Sequence, residues 1–290
     1  MSRTNAKRSM GLKKKNRLSN GIIYAVLIIM TIIWLFPFFG ILMHSLEVES
    51  RGLSGHLIPH KWGFDNYVAL FKITDFPKWF LNTFITGLAT SVLQTIITLL
   101  MSYTLSRLRF KGRKLLMNFM LILGMFPGFL SMILLYKVLS WCGLTGPHAV
   151  PGLIIVYCAS SGMGYYVSKG FFDTIPRSLD EAARIDGATR FQVFYKIIMP
   201  LSKPIVIYTI LMGFMAPWGD FIFAKYISHS TSEGQNVAVG LWYFLDRNMV
   251  GTRYTLFCAG GVIVAIPVTV LFMFLQKYYV EGVTGGAVKG

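Results

Sequence analysis

The side chains with the most chemistry to offer are gathered in one polar segment, residues 172–204, between two apolar runs. There Glu181, Arg184 and Asp186 stand almost side by side, with Ala182 and Ala183 among them and Gly187 directly after. Phe191, Phe194 and Tyr195 follow, and Pro200 closes the segment. Two carboxylates around a guanidinium, next to an aromatic stripe, are equipped to dock into a groove on another protein. They are not spaced as a nucleophile with its base. The chain carries no G-x-x-x-x-G-K-[ST] stretch to cradle nucleotide phosphates, no H-E-x-x-H and no G-x-S-x-G elbow. Its histidines (His44, His56, His60, His148, His229) and cysteines (Cys142, Cys158, Cys258) match no metal-site spacing. The expectation is a chain with no catalytic site, metal or cofactor of its own.

A second, more dispersed set lies within apolar runs: Asn82, Gln94, Ser131, Tyr136, Ser160, Trp218 and Asp220. Neutral polar groups and aromatic faces of this kind can line a path for a hydroxyl-rich solute. Each is better explained singly as a packing or helix-bonding residue. Asp220 stands out, because a carboxylate within a span is costly and faces protein or water. Counted along a helix from Pro204 it lies ~24 Å up, near the outer face. It is either a structural acid reaching interfacial water or a neighbouring helix, or an acceptor and gate at the mouth of a path.

The elements that must position these residues can be read next. Ser178 followed by Glu181 has the form of a capping box, and Thr189 followed by Gln192 repeats it. Gly187 between them can adopt the left-handed conformation that stops a helix. Phe191, Phe194, Tyr195 and Ile198 recur at helical spacing, and Pro200 is expected to end the second helix. The segment therefore reads as helix, tight turn, helix.

Around it, a chain of 290 residues with 54% hydrophobic and 14% charged residues is an all-α integral membrane protein rather than a soluble domain. Six transmembrane spans are expected, at about 21–43, 80–105, 114–139, 148–170, 205–227 and 255–278, each able to cross ~30 Å of hydrocarbon. Net charge is +16. The basic residues sit in short loops beside the spans, which argues against nucleic acid and for the positive-inside rule. Those at residues 1–20, 107–114, 169–203 and 277–290 outnumber those on the other side by more than two to one. Both termini and the 171–204 loop are therefore expected in the cytoplasm. The basic 1–20 tail leads into a run too long, and without the small-residue cleavage site, for a signal peptide. Trp62, Tyr67, Phe71, Phe76 and Trp79 in the outer segment 44–79 read either as an interfacial belt or as a platform for an external partner. Gly124 and Gly128 flanking Pro127 suggest close helix packing inside the bundle or against a cavity. The tail 279–290 is small and glycine-rich, and is expected not to be helical.

Glu181-Ala182-Ala183, then Gly187, Ile197 and Pro200, resemble the EAA loop of the membrane subunits of ABC importers. Met199 stands where that pattern has leucine, a volume-conserving exchange. The resemblance runs over nearly the whole chain and is closest to the carbohydrate-uptake branch, within it to the smaller, MalG-like permease of maltose and malto-oligosaccharide importers. It implies a type I importer fold of six helices with a cytoplasmic helix-turn-helix coupling loop, residing in a bacterial cell membrane. It implies as partners a second, MalF-like permease subunit, two copies of a nucleotide-binding ATPase subunit that bind the ATP and Mg, and an extracytoplasmic sugar-binding protein. Glu181, Ala182, Ala183, Arg184, Asp186, Gly187, Phe191, Phe194 and Pro200 would couple to the ATPase. Gly285, Gly286 and Lys289 in the tail would reach between the ATPase subunits. The implied function is translocation of a sugar, such as a malto-oligosaccharide, by alternating access. An importer of the same architecture for another solute is the nearest alternative. A secondary carrier driven by an ion gradient is the other, although no internal repeat or midplane acid supports it.

Overall fold

The computed structural model describes residues 2–287 apart from 50, 53–54, 160–161 and 230. Among them the chain is helical, with one isolated bridge between Glu47 and Trp62. In order the helices are α1 (Ser2–Ser45), α2 (Asp65–Ile73), α3 (Phe76–Arg107), α4 (Arg113–Gly124), α5 (Gly128–Trp141), α6 (Ala149–Ala159) and α7 (Gly162–Asp173). There follow α8 (Arg177–Ile185), α9 (Arg190–Gln192), α10 (Met199–Leu201), α11 (Lys203–Gly219), α12 (Ile222–Ser228), α13 (Val237–Trp242) and α14 (Val250–Ala287).

Among the described residues, four stretches are long and apolar enough to cross a bilayer: Asn20–Ser45, Phe76–Arg107, Gly146–Asp173 (which takes in α6 and α7) and Val250–Lys277. The expected 114–139 and 205–227 spans are not single rods. α4 and α5 meet at 99°, and the break falls at Pro127, whose ring and missing N–H are incompatible with a continuous helix. α11 ends at Gly219, two residues after Pro217, and Asp220 is extended (φ −78°, ψ 104°) before α12 begins.

α3 and α11 form the spine of the bundle. They approach so closely that a Cβ on Gly213 would stand 2.9 Å from the Ser91 Cα, and one on Gly87 2.9 Å from the Phe214 carbonyl oxygen. Small residues are what let two backbones meet inside a membrane. One buried cluster surrounds the far end of this spine, where Phe76, Trp79, Trp218, Leu241 and Phe244 pack together. A second, of Tyr103, Phe172, Val193, Phe194 and Ile198, lies at the α8 end. A third joins α5, α6 and α12 through Leu139, Leu153, Val156, Phe223 and Ile227.

The structure decides three of the expectations. Phe76 and Trp79 are core rather than belt or platform; Trp79 Nε1 donates to Ser232 at 3.0 Å because the 231–245 segment folds back over α3. Gly128 has no atom within 4 Å of its Cβ position, and Gly124 and Gly128 both line a cavity, the second of the two readings offered for them. α14 continues through residues 279–287, where no helix was expected. A helix already under way gains one hydrogen bond per residue added, and the glycines there, at ~1 kcal/mol each, do not stop it. Ile33, Trp34 and Phe38 of α1 and Leu115, Ile122 and Phe129 of α4 and α5 face outward, as apolar side chains bathed by lipid or covered by a second membrane subunit do.

Candidate functional site

The polar segment forms the bent pair its sequence promised, with different fastenings. α8 starts at Arg177 because Pro176 (φ −57°, ψ 133°) presets its first turn. Ser178 therefore falls inside the helix, no side chain caps it, and the expected Ser178–Glu181 capping box is absent. Glu181 is left exposed. Gly187 has φ +84°, its N–H donates to Arg184 O (3.1 Å), and Ala188 N–H donates to Ala183 O (2.9 Å), a complete Schellman stop. The second capping box is present: Gln192 N–H donates to Thr189 Oγ1 (3.3 Å) and Thr189 N–H to Gln192 Oε1 (2.7 Å).

Pro200 does not end the second helix. α9 passes through a π turn, Val193–Ile198, into α10, and the chain bends by 84° only after Leu201. The wider π turn just ahead of Pro200 supplies room for its ring and tolerates the missing N–H.

The aromatic stripe splits into two faces. Phe194 (8% exposed) and Ile198 point into the bundle, where the Phe194 ring lies 4.9 Å from that of Tyr103 on α3. Phe191 (70%), Tyr195 (65%) and, across the turn, Ile185 (86%) stand out of it. Exposed apolar groups thus sit beside the exposed Glu181, Ala182, Arg184 and Asp186, while Ala183 is buried against the bundle and Pro200 is exposed at the end of this bent element, the lever formed by α8 to α10.

The lever is clamped to α3 by Arg107. Its Nη2 donates to the carbonyls of Phe172 (3.0 Å) and Ile175 (2.9 Å), the corner between α7 and α8, and its Nε lies 3.3 Å from Asp180 Oδ2. Arg177 reaches back to Ser106 O (3.2 Å), and Ser106 Oγ donates to Asp173 (2.6 Å). Burial pushes the Asp180 carboxyl above the usual range; Arg107 and Arg177 pull it back, and neighbouring Glu181 adds to the rise.

Within the membrane region a cavity of about 620 Å³ opens between α4, α5, α6 and α12, lined by Gly124, Ser131, Tyr157, Tyr165 and Asp220 among others. Asp220 Oδ2 accepts from the Tyr157 hydroxyl at 2.6 Å, and Oδ1 accepts from Phe223 N–H at 3.1 Å, restarting the helix as α12. The carbonyls released at the break are taken by Asn236, whose Nδ2 donates to Pro217 O (3.0 Å) and Asp220 O (2.6 Å). Asp220 therefore lines this cavity and is tied to a neighbouring helix, and keeps lone pairs free for a hydroxyl-bearing guest.

Of the described members of the dispersed set, Ser131 and Asp220 alone meet in this cavity. Asn82 holds the 233–235 backbone by donating to Glu233 O (2.8 Å) and Gln235 O (2.9 Å). Gln94 lies in the α3–α11 crossing beside Gly213, Trp218 is core, and Tyr136 packs on Tyr226 with centroids 4.6 Å apart. Ser160 and Lys289 lie outside the described residues, while Gly285 and Gly286 are on the α14 backbone. Sequence reasoning missed Arg107, Tyr157 and Asn236. For Tyr157 a signal existed, since a carboxylate inside a span demands a donor.

The model of the family described as binding-protein-dependent transport system inner membrane component matches residues 96–285, which takes in α8, the turn and α9. The chain belongs to this family. A galactooligosaccharides transport system permease protein, GanQ of Bacillus subtilis (strain 168), is 35% identical over 271 residues, 92% of this chain and 94% of the relative. A maltodextrin transport system permease protein of the same organism, MdxG, is 35% identical over 268 residues, 92% of this chain and 95% of its own. Among solved structures, a bacterial ABC transporter involved in importing the acidic polysaccharide alginate has a chain of the same fold, with a TM-score of 0.75, 21% identity, and coverage of 91% of this chain and 98% of that one. This chain is therefore a multi-pass permease of the type I ABC importer fold, and the ion-driven carrier is set aside.

Proposed function

We propose that this permease is one of two membrane subunits of an ATP-driven importer that receives an oligosaccharide from an extracytoplasmic binding protein. The relatives named for galactooligosaccharides and maltodextrin support an oligosaccharide over another solute. In this reading the α8 end faces the cytoplasm, in accord with its excess of basic residues. Two ATPase subunits supply the ATP and Mg, and one of them takes the lever in a groove. The carrying observation is the exposed apolar triplet Ile185, Phe191 and Tyr195 spanning the Schellman turn beside Glu181 and Asp186. Groove docking of a helix uses such apolar anchors, and the flanking charges set register.

The lever works because it is stiff. ATP-driven closure of the ATPase pair moves α8, and Arg107 passes that movement to α3, whose other end belongs to the core beside α11. Alternation also requires the lever contact to differ between states, since equal contact in both shifts nothing. The sugar path would include the Ser131–Tyr157–Asp220 cavity, completed by the companion permease. Gly285 and Gly286, on the α14 extension, would reach towards the ATPase pair.

The test is reconstitution of the complex in vesicles with Glu181→Lys and Gly187→Pro variants. Both should assemble, yet sugar-loaded binding protein should no longer stimulate ATP hydrolysis, and uptake should fall at least tenfold. Wild-type uptake in both variants would remove the lever from the mechanism.

A further inference from the structure

Behind the docking face, a cavity of about 400 Å³ lies between the end of α3, the turn after it and the lever. Arg107, Arg109, Arg177, Arg184 and Arg190 line it, with only Asp180 and Glu181 in opposition. Arg107 is engaged with Asp180, and Arg177 with Ser106 O. Among the described residues, Arg109, Arg184 and Arg190 have no ion-pair partner. Guanidinium groups converging without a counter-charge repel one another, and their forks match a phosphate.

The position of the cavity narrows the source of that anion. It sits where the Phe76–Arg107 span ends, at the edge of the hydrocarbon. Leu93, Ile97 and Leu100 are exposed on α3, and their spacing puts them on the same helix face as Thr104 and Arg107. An apolar track thus leads along α3 to a basic cavity. An acidic side chain from a protein partner would account for the arginines but not for the track. Basic cavities at the cytoplasmic ends of spanning helices take lipid headgroups.

We propose that this cavity holds a phosphate group, supplied by the headgroup of an anionic phospholipid of the cytoplasmic leaflet, with the lipid's acyl chains along Leu93, Ile97 and Leu100. The proposal rests on the orientation argued above and goes beyond the docking role. A lipid held there would wedge between α3 and the lever and tie their relative position to bilayer composition.

The assembled complex would be placed in nanodiscs of phosphatidylcholine with phosphatidylglycerol, and the lipids retained after release into detergent counted by native mass spectrometry. Wild type should keep phosphatidylglycerol over phosphatidylcholine. At about fivefold per arginine, Arg109→Gln with Arg190→Gln should weaken retention about 25-fold, whereas Arg109→Lys with Arg190→Lys should stay within a few-fold of wild type. Equal retention by wild type and the Gln pair overturns the proposal. Displacement of the lipid by millimolar inorganic phosphate overturns the lipid source, because free phosphate then occupies the cavity. Loss of the ATPase subunits from the Gln pair with lipid retention unchanged marks the cavity as a protein contact and also overturns it. Sugar-stimulated hydrolysis is read separately: a complex that keeps the lipid but never responds to sugar sinks the oligosaccharide reading alone.

Discussion

Two phenylalanines three residues apart give the sharpest test of how the lever is built. Phe194→Ala and Phe191→Ala delete the same ring from the same helix. Phe194 is 8% exposed and its ring meets Tyr103 at 4.9 Å, so its removal opens a hole between α3 and the lever. Such truncations cost about 3–5 kcal/mol, transfer and cavity terms together. Phe191 is 70% exposed, and truncating it should change stability by no more than about 0.5 kcal/mol. On the soluble-domain scale of ~2–4 °C per kcal/mol, Phe194→Ala should lower the unfolding midpoint of the detergent-solubilised chain by roughly 6–20 °C and Phe191→Ala by about 2 °C at most. Binding to the ATPase subunit should show the reverse order. An exposed aromatic that becomes a central docking anchor is worth ~2 kcal/mol or more, so Phe191→Ala should weaken the complex about thirtyfold without touching the fold. Thermal midpoints from size-exclusion recovery, paired with a pull-down titration, read both quantities. Equal midpoints for the two variants would refute the division of the stripe into a buried and a docking face.

The other predictions address the clamp, the cavity and the far end. Arg107→Gln leaves Asp180 without its counter-charge and two corner carbonyls without a donor, so it should destabilise by about 3–5 kcal/mol; Arg107→Gln with Asp180→Asn should recover part of that, and a double variant no better than the single would remove the ion pair from the account. Asp220→Asn should cut sugar uptake several-fold while ATPase binding stays at the wild-type level, because the cavity lies apart from the lever; wild-type uptake would take Asp220 off the path. Burial raises the Glu47 carboxyl, but the backbone amides of Glu49, His60 and Lys61 outweigh it and hold it below the usual carboxylate range. Its stabilising contribution is therefore complete above the unfolded value of ~4.3 and is lost as pH falls through the lowered folded value. Proteolysis of the 46–63 segment should rise in that acid window in wild type and be independent of pH there in Glu47→Gln, which serves as the check.

What could be read from the residues and what could not divides by the range of the interactions. Gly187 and the Thr189–Gln192 box were legible because each is settled within five residues: a left-handed stop needs glycine, and a cap needs an oxygen and an amide at fixed spacing. The Ser178–Glu181 box has the same spelling and failed, because Pro176 sets the helix start ahead of it, and a motif cannot announce which of two overlapping signals prevails. The helical stripe was legible as a stripe, but Phe191, Phe194 and Tyr195 are indistinguishable until α3 arrives with Tyr103 to choose one. Distance defeats sequence reading most completely at Asp220. Its donor Tyr157 is 63 positions away, and its backbone is repaired by Asn236, 16 positions on, from the segment after α12. Yet the cost of a bare carboxylate and two orphan carbonyls in hydrocarbon made some such partners obligatory. The carboxylate was the readable part; the carbonyls were not, because 205–227 reads as one span. A broken span implies that another segment must come to close it, so the 231–245 segment belongs to the bundle by the same physics that breaks α11 from α12.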